Sequence, residues 1–205
     1  MTYSKAAGTA GAAGTAGAAG TAGAVRQRIP DRSRRLVAIL SICAAIAWAI
    51  SVLLGTVVHV QGPTHAIASA VHILSMVVAF GAILLVDWHG FLWLIGRREL
   101  SETIRLDGAA SPLIWIGIGG MLVTGVFLSP NLGNPLTVFK LVAVLVLIIN
   151  GIMLIPLMRR LVIMPPTTSF GGLTPGQRFH MLACLSVSQL CWWSAILIGF
   201  ANALF

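Results

Sequence analysis

The sequence predicts an all-α membrane protein: a five-transmembrane-helix antiparallel bundle with its N-terminus inside and its C-terminus outside. Of its 205 residues, 58% are hydrophobic and only 9% are charged, whereas soluble domains carry about 25% charged residues. The apolar residues come in runs of roughly twenty, the length at which a helix spans a bilayer. Because the connections between these runs are short, consecutive helices are expected to pack antiparallel.

The positions of the thirteen Lys and Arg residues set the predicted orientation. Twelve of them fall in 1–35, 97–105 and 159–178, and these segments alternate with connections that contain no Lys or Arg. This distribution is the positive-inside pattern. It argues against a nucleic-acid-binding surface, although the net charge is +8. The predicted partner is the lipid bilayer, and we expect a multi-pass protein of the cell's inner (plasma) membrane.

The chain divides into an arm and a transmembrane domain. Residues 1–35 are predicted to be a disordered, basic cytoplasmic arm, because three AAGTAG repeats offer too little apolar surface to offset the entropy of ordering. The five-helix domain occupies 36–205. Its spans are predicted at about 36–60, 65–96, 112–129, 135–164 and 175–204.

Local signals mark three of the predicted helix starts. Thr64 is placed to cap the second helix. Ser111 followed by Pro112 has the pattern of a cap and a first-turn proline, and it is expected to open the third helix. Thr174 and Pro175 repeat that pattern at the fifth helix.

Other residues of the helices suggest how they pack. Trp88 and Trp93 are expected to anchor the second helix at the inner interface. The three cysteines lie in apolar helices and imply no disulfide framework. Several glycines of the third helix are expected to let a neighbouring backbone come close. These are Gly117, Gly119, Gly120 and Gly125.

His72 and Lys140 form the first candidate site, because they are predicted to lie at nearly equal depth near the outer face, on the second and fourth helices. Lys140 either extends to the outer headgroups or joins His72 in a site for a carboxylate or propionate. His72 is a neutral imidazole bonded to a neighbouring helix, a metal or heme ligand, or a proton-transfer group.

His89 and His180 form a second pair at the inner boundary, on the second and fifth helices. They either clamp a heme iron between them or are ordinary interfacial histidines. Asp87 lies close by. It either orients an imidazole or pairs with an arginine at the same surface.

Three histidines near the outer face, His59, His65 and His72, suggest an entry site for a transition metal, since imidazole suits copper, zinc and iron. Asn150 lies near the bilayer midplane and is expected to hydrogen-bond to the fifth helix. Its predicted partners are Ser186, Ser188 and Gln189.

Two stretches carry a family resemblance. The first is AVHILSMVVAFGAILLVD and the second is FKLVAVLVLIINGIMLIPLMRR. Together they resemble the copper-resistance D superfamily of small membrane bundles, whose relatives include the HemJ-type membrane protoporphyrinogen oxidase. The resemblance covers 70–162 and implies a four-helix bundle, to which the first helix is an addition. It also implies heme b binding or copper handling.

In the oxidase branch a histidine and a lysine on separate helices are functionally important, and His72 and Lys140 match them. The chain departs from that branch at Ala79, where an aromatic residue is usual. It departs again at Ile149 and Asn150, where a Tyr-His pair is expected. The oxidase activity is therefore not implied.

Three functions follow as hypotheses. The first is a heme-b-binding or redox-active bundle, with His72 as principal ligand, Lys140 as propionate or proton partner, and the inner histidine pair as a second site. The second is a copper or other metal permease with the three outer histidines as its mouth. The third is a non-catalytic membrane subunit or assembly factor. A membrane redox partner or a larger membrane complex is the expected protein partner.

Overall fold

A computed structural model gives the architecture of the chain and describes residues 18–204, with side chains described over 33–201. Five helices account for it, and no strand occurs among these residues. All five are long and apolar enough to cross a membrane, which confirms the predicted all-α membrane fold. The helices are α1 (Ala18–Val57), α2 (Pro63–Leu94), α3 (Leu100–Gly125), α4 (Pro135–Leu161) and α5 (Pro175–Leu204), with a 3₁₀ turn at Phe170–Gly172 before α5.

Helix α1 begins earlier than the sequence analysis predicted. It is helical from Ala18, whereas composition suggested disorder over 1–35; residues 1–17 lie outside the described residues. Alanine and arginine, both strong helix formers, make up nine of the eighteen residues from 18 to 35. The part of α1 that is apolar enough to span a membrane is Ser33–Val57.

Helix α3 departs most from prediction, because it starts at Leu100 and not at 112. Glu99 is its N-cap residue, and a reciprocal capping box joins Glu99 to Glu102. Pro112 therefore lies inside the helix, so Ser111 and Pro112 do not open it. The extra three turns carry the buried side chains of Leu100 and Thr103 at helical spacing, a periodicity that the charged residues Glu102, Arg105 and Asp107 obscured.

The other helix starts follow local chemistry. At α5 the Thr174 hydroxyl accepts from the backbone N–H of Gln177 at 3.3 Å. The side-chain oxygen of Gln177 accepts in return from the backbone N–H of Thr174 at 2.9 Å, which confirms the predicted cap. At α4 the Asn134 side chain accepts from the backbone of Leu136. Thr64 does not cap α2, because it lies inside the helix, which starts at Pro63. The N-cap residue is Gly62, whose φ is 66°.

Helices α2 and α3 approach closely along a seam of small residues. A Cβ added at Gly117 would lie 2.6 Å from the Ser75 carbonyl oxygen and 2.7 Å from the Ala79 Cβ. A Cβ at Gly120 would collide with the Ser75 hydroxyl. The predicted backbone approach is therefore confirmed at these two glycines, whereas a Cβ at Gly119 would meet no atom within 4 Å.

The remaining helices close the bundle. The Trp48 indole of α1 donates to the Leu141 carbonyl of α4 at 3.0 Å, and the Ser51 hydroxyl donates to the Leu122 carbonyl of α3 at 2.5 Å. Phe80 of α2 contacts Trp192 of α5, with ring centroids 5.5 Å apart. One apolar core joins the four helices α2 to α5. Its buried residues are Ala79, Ile118, Met121, Leu147, Ile148, Ile152 and Trp192.

The close approach of α2 and α3 leads to opposite predictions for the stability of alanine variants at Gly117 and Gly119. Gly117→Ala should lower the thermal unfolding midpoint, because the added methyl overpacks against α2 at a cost of about 1–3 kcal/mol. Gly119→Ala should leave the midpoint unchanged or raise it, since removing a helical glycine gains about 0.5–1 kcal/mol where there is space. Thermal unfolding in a mild detergent measures both. Equal midpoints for the two variants would contradict the close approach at Gly117.

Candidate functional site

A cavity of about 360 Å³ lies among α2, α3, α4 and α5 toward the end of the bundle that carries Arg97, Arg98, Arg159, Arg160 and Arg178. We call it the inner cavity. Its wall is mainly apolar, and α2 borders it only from Ile83 onward. The polar side chains in the wall are Asp87, Thr103, Asp107, Ser111, Asn150, Arg159 and Ser188.

A small second core borders the inner cavity at that end of the bundle, and its residues Trp93, Leu100 and Leu161 also line the cavity. Trp93 is only 2% exposed. Its indole donates to the Thr168 carbonyl at 2.9 Å and packs edge-on against Phe170 at 5.4 Å. The connection between α4 and α5 is thereby held under the cavity, and Phe170 borders it. Trp93 is therefore not the predicted interface anchor, whereas Trp88 is 57% exposed, as an anchor should be.

Asp87 is held in the cavity wall by the fifth helix. The Gln189 side-chain amide donates to one carboxylate oxygen of Asp87. The Trp193 indole in turn donates to the Gln189 amide oxygen at 3.1 Å, which fixes the amide so that its NH₂ group faces the carboxylate. The predicted partners of Asp87, an arginine or an imidazole, were wrong: its hydrogen-bond partner is Gln189.

Asp107 is the ionisable group that the sequence analysis missed. It lies on the early part of α3 and borders the inner cavity together with Asp87. Once the capping box at Glu99 is recognised, helical spacing from Leu100 places Asp107 on this helix, so the sequence did contain the signal.

Asn150 bonds to the predicted helix but not through a predicted partner. Its side-chain amide donates to the backbone carbonyl of Cys184 at 2.8 Å. The bond ties α4 to α5 beside the inner cavity, whose wall includes Asn150 and Cys184.

His72 and Lys140 both lie in the half of the bundle away from the inner cavity. The Thr124 hydroxyl donates to the Gly120 carbonyl at 2.6 Å and therefore accepts from His72 Nδ1, 2.9 Å away. This network assigns the proton to Nδ1 and leaves a lone pair on Nε2. No hydrogen bond joins Lys140 to His72 among residues 33–201. Their common depth and a shared site stay predictions.

No hydrogen bond joins His89 to His180 in the described part of the chain. The α2–α5 contacts pair Phe80 with Trp192 and Asp87 with Gln189. Continuing this antiparallel register at about 1.5 Å per residue places His180 level with about residue 95, roughly 9 Å along the axis from His89. His89 Nδ1 instead bonds to the Leu85 carbonyl of its own helix.

The outer histidines divide into two groups. His59 and His65 border one shallow depression, together with Ser129, at the end of the bundle away from the arginines, and His72 is not part of its lining. Among residues 33–201, no group of three or more His, Cys, Asp or Glu side chains is placed to hold a metal ion. The three-histidine entry site stays a prediction, with two of its members sharing a surface.

Comparison with known proteins gives no family for this chain: no protein-family model, no curated protein and no solved structure matches it. Function is therefore argued from the residues of the bundle itself.

Proposed function

We propose that the protein binds a small, mainly apolar organic molecule in the inner cavity, which it receives from the cytoplasmic side or the inner leaflet. The observation that carries this proposal is the cavity itself, because its volume of about 360 Å³ falls in the range of roughly 300–1,000 Å³ that small-molecule sites occupy. The apolar wall with a few convergent polar groups is typical of such sites. The positive-inside rule assigns the arginine-bearing end, and so the cavity, to the cytoplasmic half of the plasma membrane.

Two glycines of α2 allow a matched test of this proposal. Gly90 borders the inner cavity, and Gly81 does not. A Cβ at either position would meet no atom within 4 Å. Leucine at Gly90 should therefore fill space at the cavity wall without a backbone clash, and leucine at Gly81 should extend into open space.

The probe is 1-octanol, a neutral molecule with an apolar chain and one hydroxyl. It should raise the thermal unfolding midpoint of the wild type in a saturable way, because ligand at about 100 times its dissociation constant stabilises the folded state by about 2.7 kcal/mol. Gly90→Leu should abolish this rise and Gly81→Leu should retain it. An absent rise in the wild type, or an equal rise in both variants, would contradict ligand binding in the inner cavity.

A heme-b-binding or redox-active bundle is the second candidate function, and one observation favours it: His72 Nδ1 bonds to Thr124, which leaves the lone pair of Nε2 free to bind iron. The inner cavity itself does not fit a heme held by imidazole, because no histidine borders it. His72 would be the iron ligand and Lys140 the propionate partner. A bound heme would supply one-electron chemistry there.

This candidate predicts a sharp Soret band and α band in the dithionite-reduced minus air-oxidised spectrum of the purified protein. His72→Ala should remove both bands, since it removes the ligand. His65→Ala is the control, because His65 is exposed at the outer surface. A flat difference spectrum from cells with adequate heme would rule the heme out.

The copper permease and the non-catalytic subunit stay predictions of the sequence. The first retains His59 and His65 as a shared external surface. The second predicts co-purification of a large membrane partner, which neither of the two candidates above requires.

A further inference from the structure

The charges in the wall of the inner cavity do not balance. Three ionisable side chains border it: Asp87, Asp107 and Arg159. When all three are ionised, two negative charges and one positive charge leave a net charge of −1. No ion pair joins these side chains, since the single salt bridge found among residues 33–201 links Arg98 to Glu102.

The two carboxyl groups differ in their hydrogen bonds. One oxygen of Asp87 accepts from Gln189, which fixes the group in the wall. Over residues 33–201, Asp107 has no side-chain hydrogen bond, and its side chain borders the same cavity as Asp87. An uncompensated charge inside a membrane protein is costly, so an occupant that carries one positive charge would stabilise this arrangement.

We propose that the occupant of the inner cavity is an organic monocation, a protonated amine on an apolar chain, whose charged end binds between Asp87 and Asp107. This inference rests on the ligand site proposed above and specifies its chemistry. The apolar part of the ligand contacts the wall formed by Ile114, Trp115 and Leu147. The amine donates to the free oxygen of Asp87 and to Asp107, the acceptors that the protein leaves without a donor.

The wall favours an amine over a metal ion. Calcium takes six to eight oxygen ligands, and magnesium demands a near-ideal octahedron. The described part of the cavity wall holds two carboxylates, and no set of three metal-ligating groups occurs over residues 33–201. The polar groups are also surrounded by a mainly apolar wall. A metal ion bound to them would leave the apolar part of the cavity empty.

Three probes of equal chain length test the charge of the ligand: octylamine, which is protonated at neutral pH, neutral 1-octanol, and anionic octanoate. Their apparent dissociation constants come from the concentration dependence of the unfolding midpoint, with Gly90→Leu as the measure of non-specific effects. Octylamine should bind the wild type about tenfold or more tightly than 1-octanol, a ratio that corresponds to about 1.4 kcal/mol. Octanoate should bind most weakly.

Asp87→Asn and Asp107→Asn should each reduce the preference for octylamine over 1-octanol severalfold while 1-octanol binding persists. Glu102→Gln is the matched control, because it removes a carboxylate that does not border the cavity, and it should keep the wild-type preference. If an aspartate variant does not fold, the order of the three probes on the wild type still decides the question.

The outcomes separate this inference from the proposal on which it rests. Equal binding of octylamine and 1-octanol, both lost in Gly90→Leu, would support a ligand site and overturn the cationic ligand. A preference for octylamine that survives both aspartate variants would also overturn it. Binding of none of the probes would overturn the ligand site and the inference together.

Discussion

A polar group inside a bilayer has no water to bond, and this constraint determines how the five helices fit together. Ser51 and Asn150 each donate to a backbone carbonyl of another helix, and Gln189 donates to a carboxylate across the bundle. Because Gln189 is itself oriented by Trp193, the position of Asp87 depends on a chain of donors on α5. These bonds hold the bundle at points where apolar contact alone specifies little, since lipid is as apolar as leucine.

The same helices are tightly packed in one half and separated in the other. Gly117 and Gly120 let α2 and α3 approach until their backbones touch near Ser75 and Ala79. Toward the arginine-bearing end the side chains no longer fill the space between α2 and α5, and the inner cavity occupies it. The packed half of the bundle thus closes the inner cavity on the side away from the arginines.

Much of the fold was predictable because it depends on length and composition. Twenty-residue apolar runs specify spanning helices, and the five helices found are all long and apolar enough to span. Small residues at Gly117 and Gly120 indicated the close seam. The start of α3 was missed because Ser111 and Pro112 imitate a helix start, although Glu99 and Glu102 form the real cap.

The candidate site was less predictable, because it depends on helix rotation, which the sequence does not encode locally. The sequence does not distinguish an arginine from Gln189 as the partner of Asp87, because a suitable rotation of α2 about its axis would bring Asp87 within reach of either side chain. The offset between His180 and His89 along the bundle axis likewise follows from the register of α2 and α5. Contacts far from both histidines, such as that between Phe80 and Trp192, determine this register. Asp107 could be assigned to the site only once α3 was known to begin at Leu100, three turns before the predicted start.

The most direct measurement is the rate at which a small methanethiosulfonate reagent modifies Cys184. Cys184 borders the inner cavity, whereas Cys191 and Cys43 do not. In a variant whose other two cysteines are alanine, 1-octanol should slow the modification of Cys184 in proportion to its occupancy of the cavity. In a second variant that retains only Cys191, it should change the rate little. A Cys184 rate that does not respond to 1-octanol, or equal slowing at both thiols, would contradict a ligand site between α2 and α5.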